Sequence, residues 1–569
     1  MKKLNATTIV VAMAAMIVAT THTSTLAGPE QVFHISPILP TDIPGGAPNA
    51  TAIEAAKFAW REFIALNWPA VTQDQTLGTR DTPDLGLKFG DPNYKGPLTW
   101  HTYRSKAEIF PGRLAPPGGT LNPSGTGLMR LPPLDRVNYG YDYKPTYIYQ
   151  DGPISGSGTD TPWINLDEAS QIGLDNIYAG VARENTGSLA NQILFLAKAN
   201  RAEFDYIAPK GWWDSGVIQP FAKKTAAYIQ KHRGDPKADS PDLVSFKNGT
   251  IELKAAWRKL GAKEDVSRFY TTKARYYVKN AAGGIEFVDE TLALIALHII
   301  HKTPSAPYFI FATFEQADNI TDTQGKPVED ENGFVKTPPA TPFTPNISSN
   351  NSTPTSNQTF TPMLSTVTDP STGKNPDRQL YYINVPFQNL VEGKILVNKR
   401  KHPITADVIK VNKMVHDAIN KYMIDNFNTI SPWAYYKLIN VQHRPIEKTT
   451  FGKTYVGADI STYYQANSVV ETDYNLQVFS GRFSGRGYGN TISDYKDGEK
   501  FYNVAFQKNT LQKGMHYNMG GCMGCHGNMQ QAGFDFSFIL GGGRVTQPDV
   551  AGPTLGSELA KIQKYLQNQ

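Results

Sequence analysis

The only two cysteines of this 569-residue chain stand three positions apart, close to its C-terminal end. They are Cys522 and Cys525, and His526 follows directly, which gives the spacing C-x-x-C-H. With no other thiol, no long loop can be closed by a disulfide, so the fold must be stabilised by burying surface, which a chain of this length can do extensively. We therefore expect a large packed core and a thiol-bearing site near the C-terminus.

The C-x-x-C-H spacing is the signature of covalent c-type haem attachment. Two thiols separated by two residues can each add across one vinyl group of the same porphyrin, and the adjacent histidine then serves as the proximal ligand of the iron. The sequence thus predicts one covalently bound haem c, attached to Cys522 and Cys525, with His526 as the proximal iron ligand.

Three alternatives for the motif have less support. A thioredoxin-like dithiol is expected at the start of a helix in a βαβ unit, whereas residues 513–521 have the pattern of a glycine-rich loop. A structural zinc site needs two further ligands at matching spacing, which the sequence lacks. A plain disulfide between the two cysteines would leave His526 unexplained.

Residues 1–27 have the pattern of a secretory signal peptide, with a positive start, an apolar run over Thr8–Thr20 and small residues that suit cleavage near Ala27. The apolar run is shorter than the roughly 20 residues of a membrane-spanning helix. No later segment is apolar and long enough to span either. Because c-type haem is attached outside the cytoplasm, we predict a periplasmic location and no transmembrane segment in the mature chain.

The charge of the chain is nearly balanced, with 56 basic and 51 acidic residues. Cleavage of the signal peptide removes Lys2 and Lys3, and two haem propionates would lower the positive charge further. This balance disfavours nucleic acid or an anionic membrane as the main partner. We expect periplasmic redox proteins as partners instead.

The hydrophobic pattern predicts an α+β fold, large and rich in loops, with a mainly helical, cytochrome c-like haem segment at the C-terminus. We divide the mature chain into an N-terminal α+β region, 28–335, and a C-terminal region that carries the haem, 379–569. Between them, 336–378 is rich in Pro, Thr, Asn and Ser, which is typical of a linker or a surface insertion.

Apolar residues at helical spacing predict helices over Thr51–Ala70, Ser188–Glu203, Glu290–Ile300, Ala406–Asn426 and Ser557–Leu566. Alternating or short apolar runs predict strands over Arg268–Val278, Ile285–Val288, Tyr308–Phe314, Leu380–Val385 and Ala434–Val441. Asn248–Gly249 indicates a hairpin between Val244–Phe246 and Thr250–Leu253.

The second axial ligand of the iron is the open question of the motif. No histidine follows His526, and the only later methionine, Met529, is so close that it stays on the proximal side. The ligand must therefore come from upstream, or the iron is five-coordinate. The upstream candidates are His298, His301, Met515, His516 and Met519.

These candidates fall into two groups. His298 and His301 are three apart in a predicted apolar helix, so they would share one helix face; alternatively they cap the end of that helix. The other three precede Cys522 in a loop long enough to reach the distal haem face, at about 3.3 Å per residue. A distant histidine such as His101 or His443, or an open site, remains as a further alternative.

The residues after the motif can surround a haem. An apolar wall that restricts solvent and raises the reduction potential is predicted from Phe534, Phe536, Phe538, Ile539 and Leu540. Arg544 could pair with a propionate, although an exposed loop arginine is the simpler interpretation.

On Cys522, Cys525 and His526, the chain resembles the c-type cytochromes, over about its last fifty residues. The resemblance implies the two attachment roles and the proximal ligand role for these positions. The downstream methionine ligand of the small members has no match. The C-terminal position of the motif is similar to that in cytochromes c′, whose iron is five-coordinate, although their all-helical bundle is far smaller.

These observations predict an exported monohaem c-type cytochrome that transfers electrons between periplasmic partners. The alternative is a haem enzyme with an open or displaceable distal site, acting on peroxide, oxygen or a small-molecule substrate. Ligand sensing without turnover is a third possibility.

Overall fold

The computed structural model describes residues 32–71, 79–110, 141–142, 154–155, 162–168, 177–178, 193–232, 236–261, 264–320, 327–336, 358–360, 381–385, 395–400, 403–444, 467–470, 483–484, 506–509, 515–518, 521–542, 545 and 548–551. The predicted signal peptide, the predicted helix Ser557–Leu566 and most of segment 336–378 lie outside these ranges.

Helices and strands are mixed along the chain, which confirms the α+β class. The described helices are α1 Ala52–Leu66, α2 Lys106–Ile109, α3 Arg201–Ile207, α4 Ser215–His232, α5 Ala406–Phe427, α6 Gly521–Gln531 and α7 Phe538–Gly541. The described strands are β1 Arg104–Ser105, β2 Ile154–Ser155, β3 Ile164–Leu166, β4 Ile177–Tyr178, β5 Leu194–Ala199, β6 Ile251–Arg258, β7 Thr271–Lys279, β8 Ile285–Thr303, β9 Ala306–Gln316, β10 Gln358–Phe360, β11 Tyr381–Val385, β12 Ile395–Arg400, β13 Tyr436–Gln442, β14 Phe483–Ser484, β15 Phe506–Asn509 and β16 Met515–Asn518. None of the described helices is both long and apolar enough to cross a bilayer.

The main sheet is organised around β8, a strand of 19 residues. Its strands follow the order β1-β5-β6-β8-β7-β3, while β9 and β2 also pair with β8, and β13 pairs with β9. All of these pairings are antiparallel except β2 with β8 and β3 with β7. Because β13 comes from segment 379–569 and β9 from segment 28–335, these two regions share one sheet.

Helices α1 and α5 cover one face of this sheet. Helix α1 begins with a capping box, in which Thr51 accepts from the Glu54 N–H and Glu54 accepts from the Thr51 N–H. Its buried Trp60 lies 5.0 Å from the ring of Phe314 on β9. The Trp60 Nε1 also donates to Asn412 on α5 at 2.8 Å, so both helices and the sheet pack into one core.

The opposite face is covered by residues 521–541, which we call the C-terminal layer, together with α3 and α4. The Met523 N–H donates to the Gln442 side chain at the end of β13, at 2.9 Å. Gly533 packs directly against the backbone of Ala222 on α4. The C-terminal layer is therefore attached both to the sheet and to a neighbouring helix.

Side chains of β8 alternate between these two faces, as in any strand. His301 contacts Glu62 of α1, whereas its neighbour Lys302 contacts Asp535 of the C-terminal layer. His298 lies on the same face of β8 as Lys302, because the two residues are four positions apart.

The prediction of a helix over Glu290–Ile300 is wrong, since this run lies within β8. Both faces of the strand are covered, and every residue from Leu292 to Thr303 is buried. A continuous apolar run is compatible with a strand buried on both faces or with a buried helix, so its periodicity could not distinguish them. As a consequence, His298 and His301 lie on opposite faces of the sheet and not on one helix face.

The predicted helix over Ser188–Glu203 is also wrong for most of its described part. Leu194–Ala199 forms β5, which lies between β1 and β6. Asn200 then caps α3, its side chain accepting from the Glu203 N–H at 3.4 Å. An apolar strand followed directly by a capped helix therefore resembles one longer helix in the sequence.

The remaining local predictions agree with the structure to within a few residues for α1, α5, β7, β9, β11 and β13. The predicted strand Ile285–Val288 forms the start of β8. At Asn248–Gly249 the chain turns as expected, with a φ of +90° at Gly249, and leads into β6. Val244–Phe246, however, forms no strand, so the predicted hairpin is wrong.

Candidate functional site

Cys522, Cys525 and His526 lie in the first turns of α6. At about 100° per residue, their positions fall on one face of the helix. The side chain of Cys522 is buried and that of His526 is partly buried, while the side chain of Cys525 lies outside the described part of the chain. The fold therefore brings a thiol position, a second thiol position and an imidazole to the same side of one helix.

The segment before the motif differs from the predicted loop. Residues 515–518 form β16, which pairs antiparallel with β14 and β15. Cys522 thus follows a strand and opens a helix, as a thioredoxin-like dithiol would. The strand belongs to a small antiparallel sheet, however, and not to the parallel βαβ unit that such a dithiol requires.

The ring of His526 is oriented by a backbone carbonyl. Its Nδ1 lies 2.8 Å from the carbonyl oxygen of Phe536. A carbonyl only accepts, so Nδ1 carries the proton and donates it, which leaves the Nε2 lone pair for a ligand. Among the described residues, Nε2 has no hydrogen-bond partner. Metal-binding histidines commonly donate their other ring N–H to a carbonyl in this way.

The environment also keeps His526 uncharged. Its pKa is lowered to about 4, chiefly by burial and to a smaller extent by the charge of Lys254, while the hydrogen bond to Phe536 opposes the shift. The imidazole is therefore neutral at physiological pH, which is the form that binds metals.

Aromatic rings surround the imidazole. The ring of Phe311 on β9 lies 5.0 Å from it, and the ring of Phe538 lies 4.9 Å away in an edge-to-face arrangement. Phe536 also packs against Phe311. Two residues of the predicted apolar wall, Phe536 and Phe538, are therefore in direct contact with His526.

Of the upstream ligand candidates, His298 lies on the sheet face that the C-terminal layer covers. Its pKa is lowered to about 3, chiefly by burial, with smaller contributions from the charge of Lys254 and from the neighbouring imidazole of His526. The two imidazoles are therefore close enough to interact electrostatically. The His298 Nε2 lies 3.4 Å from the hydroxyl of Thr313, and its ring is buried.

His301 has a different environment. Its Nδ1 lies 2.5 Å from a carboxylate oxygen of Glu62, and its ring stacks on Phe58, so it belongs to the interface with α1. The structure brings His298 to the side of the motif and places His301 on the other side of the sheet.

The other candidates are less completely described. Met515 and His516 lie on β16, which contacts α6, but their side chains lie outside the described part. Met519 lies entirely outside it. Their roles as ligands stay predictions.

A group of buried charged residues beside the motif has no counterpart among the sequence predictions. Glu203 on α3, Glu252 on β6 and Asp535 in the C-terminal layer are buried, as is Lys302. The Asp535 Oδ2 accepts from the Lys302 Nζ at 2.7 Å. No sequence signal links these residues, because the pairing of distant strands brings them together.

The pKa values of both glutamates of this group are raised. Burial, followed by the charge of Glu252, raises the pKa of Glu203 well above its usual range. Burial likewise raises the pKa of Glu252 to about 7. Their carboxyl groups are within hydrogen-bonding reach once one of them is protonated. At neutral pH, a proton bound to Glu203 therefore avoids two adjacent buried negative charges.

A cavity of about 460 Å³ lies elsewhere, between α5 and the loop at Glu331 and Asn332. Its His416 is engaged at both ring nitrogens, with Asn332 at 2.8 Å and with the carbonyl oxygen of Tyr436 at 2.7 Å. His416 also contacts Trp60 of α1, so this cavity is on the side of the sheet away from His526.

No family model, no curated protein and no solved structure matches this chain. Within the described ranges, no three or more His, Cys, Asp or Glu side chains are grouped so that they could hold a metal ion. The chemistry of the site must therefore be judged from its own residues.

Proposed function

We propose that the protein is an exported monohaem c-type cytochrome that transfers electrons between periplasmic partner proteins. The observation that carries this proposal is the hydrogen bond from His526 Nδ1 to the carbonyl of Phe536, on the helix that also carries the two cysteines. It supports a neutral imidazole with its Nε2 available, which is the form in which histidine binds haem iron.

The residues present fit a covalently attached haem c. Cys522 and Cys525 would form the two thioethers, and His526 would bind the iron from the proximal side. When bound, the haem supplies a centre that can gain or lose one electron. The buried Cys522 and the rings of Phe311 and Phe538 offer apolar contacts that suit a porphyrin.

The protein's own residues would set the properties of this centre. The Phe536 carbonyl orients His526 and fixes its tautomer, and this hydrogen bond would make the ring a stronger donor to a bound iron and so favour the oxidised state. The surrounding aromatic rings restrict water, which favours the reduced state. The reduction potential would reflect the balance of these two effects.

Of the candidates for the second axial ligand, His298 is supported best. It is buried, neutral at physiological pH and on the sheet face that the C-terminal layer covers. A second histidine ligand would give a six-coordinate iron suited to electron transfer without substrate binding.

One observation favours the alternative, a haem enzyme acting on peroxide, oxygen or a small molecule. The His298 Nε2 is near the Thr313 hydroxyl, at 3.4 Å. If His298 keeps this interaction in the haem protein, the distal side of the iron is open or displaceable.

The decisive experiment is expression with the native leader in a bacterium that attaches c-type haem. We expect exported protein that stays coloured after denaturation and has the added mass of one haem. Replacing both cysteines, Cys522→Ala with Cys525→Ala, should abolish the covalent haem completely. The matched control is His416→Gln, a buried histidine on the other side of the sheet, which should retain it. Colourless, unmodified wild-type protein in the same host would refute the proposal.

Carbon monoxide distinguishes the carrier from the enzyme. A carrier with two histidine ligands is expected to be low-spin and to bind no carbon monoxide in the ferrous state. His298→Ala should then open the site and allow binding, whereas His301→Ala should not. High-spin wild-type protein that binds carbon monoxide would support the enzyme instead.

A further inference from the structure

The loop between α6 and α7 is held in an unfavourable backbone conformation. Asp535 and Phe536 have φ values of +49° and +66°, in the left-handed region that residues with a Cβ rarely adopt. Gly533, two residues earlier, has a φ of +88°. Consecutive strained residues persist only where the surrounding structure over-determines their conformation, and such strain concentrates at functional sites.

The anchor of this loop is the carboxylate of Asp535. Its Oδ2 accepts from the Lys302 Nζ on β8 at 2.7 Å and from the Phe246 N–H at 2.6 Å. The side chains of Asp535 and Lys302 are fully excluded from solvent. Charge-assisted hydrogen bonds are among the strongest in proteins, so two distant parts of the chain converge on this one oxygen.

The residue that follows the anchor holds the imidazole. Phe536 comes directly after Asp535, and its carbonyl oxygen accepts from His526 Nδ1 at 2.8 Å. The next residue, Ser537, caps α7 by accepting from the Leu540 N–H at 2.9 Å. The carbonyl of Phe536 is therefore fixed from both sides, by the anchor before it and by the helix cap after it.

We propose that the Lys302–Asp535 ion pair positions the haem ligand: acting through the carbonyl of Phe536, it holds His526 in the tautomer and orientation that bind iron. This inference rests on the proposed haem attachment. Lys302 and Asp535 are positioning residues in this role. They link the ligand to β8, the central strand of the sheet, so the rigid core sets the geometry of the proximal side.

Asp535→Asn tests the proposal, because it keeps the size of the side chain and removes its charge. Loss of a group that orients a metal-binding histidine weakens metal binding by about 10- to 100-fold. A proton competes with iron for Nε2, so the pH at which acid releases His526 should rise by about one to two units. The reduction potential should also rise, since the ring becomes a weaker donor. Absorption spectra against pH and a redox titration measure both.

The matched control is Glu329→Gln, which removes the charge of another buried carboxylate, one that accepts from both Lys437 and Arg400 at 2.8 Å. It should lower the stability of the fold but leave the acid release of His526 and the reduction potential at wild-type values. Lys302→Met combined with Asp535→Asn leaves no unpaired buried charge and should fold more readily than Asp535→Asn. It should still show both shifts, because the anchor is absent.

Wild-type values of the acid midpoint and potential in both variants would overturn the proposal while leaving haem attachment intact. A measurement without any variant tests the hydrogen bond through which the ion pair acts: the Nδ1 proton of His526 should exchange slowly with solvent in the folded haem protein, and rapid exchange would contradict the proposal. Absence of haem from the wild type would instead refute the proposed function.

Discussion

The two faces of β8 are buried by different chemistry. On the α1 and α5 face the contacts are mainly aromatic: the ring of Phe63 lies 4.4 Å from that of Phe314 and 5.7 Å from that of Trp433. The polar contact that β8 makes with α1 is the pair of His301 with Glu62.

The other face combines buried charge with backbone strain. Glu203, Glu252, Asp535 and Lys302 are all buried there, next to positive φ values in the C-terminal layer. Burying ionised groups is costly unless they are paired and hydrogen-bonded, and strained residues add to that cost. The aromatic face therefore stabilises the fold, while the rest of the fold must hold the charged face in place.

The largest effect on stability is expected from the aromatic face. Phe63→Ala removes a fully buried ring and should lower the free energy of unfolding by about 3–5 kcal/mol. In the proposed haem protein, the variant that remains folded should keep the wild-type haem spectrum and reduction potential. Urea unfolding followed by circular dichroism measures the first and redox titration the second.

The control for this variant is Val266→Ala, at a side chain that is 56% exposed, where a change below about 0.5 kcal/mol is expected. A shifted haem spectrum in folded Phe63→Ala would show that the two faces are coupled. It would contradict the separate roles assigned to the aromatic and the charged face.

A smaller effect is expected at Gly533 in the C-terminal layer. An alanine there would adopt a φ of +88° and its Cβ would overlap the carbonyl oxygen of Ala222, so the backbone must shift. We expect a loss of about 2–4 kcal/mol in the free energy of unfolding and, in the proposed haem protein, release of His526 from iron at a higher pH.

Gly249→Ala is the matched control, since its φ is +90° but nothing lies within 4 Å of the added Cβ. It should cost only about 1–2 kcal/mol, the penalty of the left-handed conformation, and leave the haem unchanged. Equal losses in the two glycine variants would mean that the contact with α4 is unimportant.

The smallest effect is expected at Glu252 on the charged face, where the free energy of unfolding should depend on pH. The pKa of Glu252 is raised to about 7 by burial, from an ordinary value of 4.5. Between these two values the unfolded chain has lost the proton and the native protein retains it, so stability falls as pH rises through this window. The slope should be about 1 kcal/mol per pH unit for this group.

Glu252→Gln should remove the contribution of Glu252 to the pH dependence of the free energy of unfolding. Glu203, whose pKa is also raised, keeps its own contribution. Urea unfolding of both proteins at several pH values between 4.5 and 7 measures the difference. If the free energies of unfolding of wild type and variant differ by the same amount at every pH, Glu252 does not retain a proton in the native protein.

Part of the fold could be predicted because it depends on the spacing of apolar residues that are close together in the sequence. The apolar spacing over Thr51–Ala70 indicates α1, and the spacing over Ala406–Asn426 indicates α5. β8 could not be recognised in the same way, since burial on both faces removes the alternation that marks a strand. Because β8 was assigned as a helix, His298 and His301 were predicted to lie on the same helix face, whereas they lie on opposite faces of the sheet.

The candidate site was predicted in the same uneven manner. Cys522, Cys525 and His526 form a contiguous motif whose chemistry depends on spacing alone, so the amino-acid sequence is enough to identify them as candidates. The Lys302–Asp535 pair joins residues 233 positions apart, and the Phe246 N–H that completes it is 289 positions from Asp535. No spacing in the sequence indicates such contacts.

The amino-acid pattern alone indicates the spacing of the two thiols and the imidazole, the amphipathic helices and the mixed α and β class, because each depends on neighbours along the chain. Only the tertiary structure decided that His298 faces the motif, that His301 faces α1 and that a strained loop holds His526. The reason is physical: strand pairing over long sequence distances determines which face of β8 each element covers, and burial then determines which charges must pair.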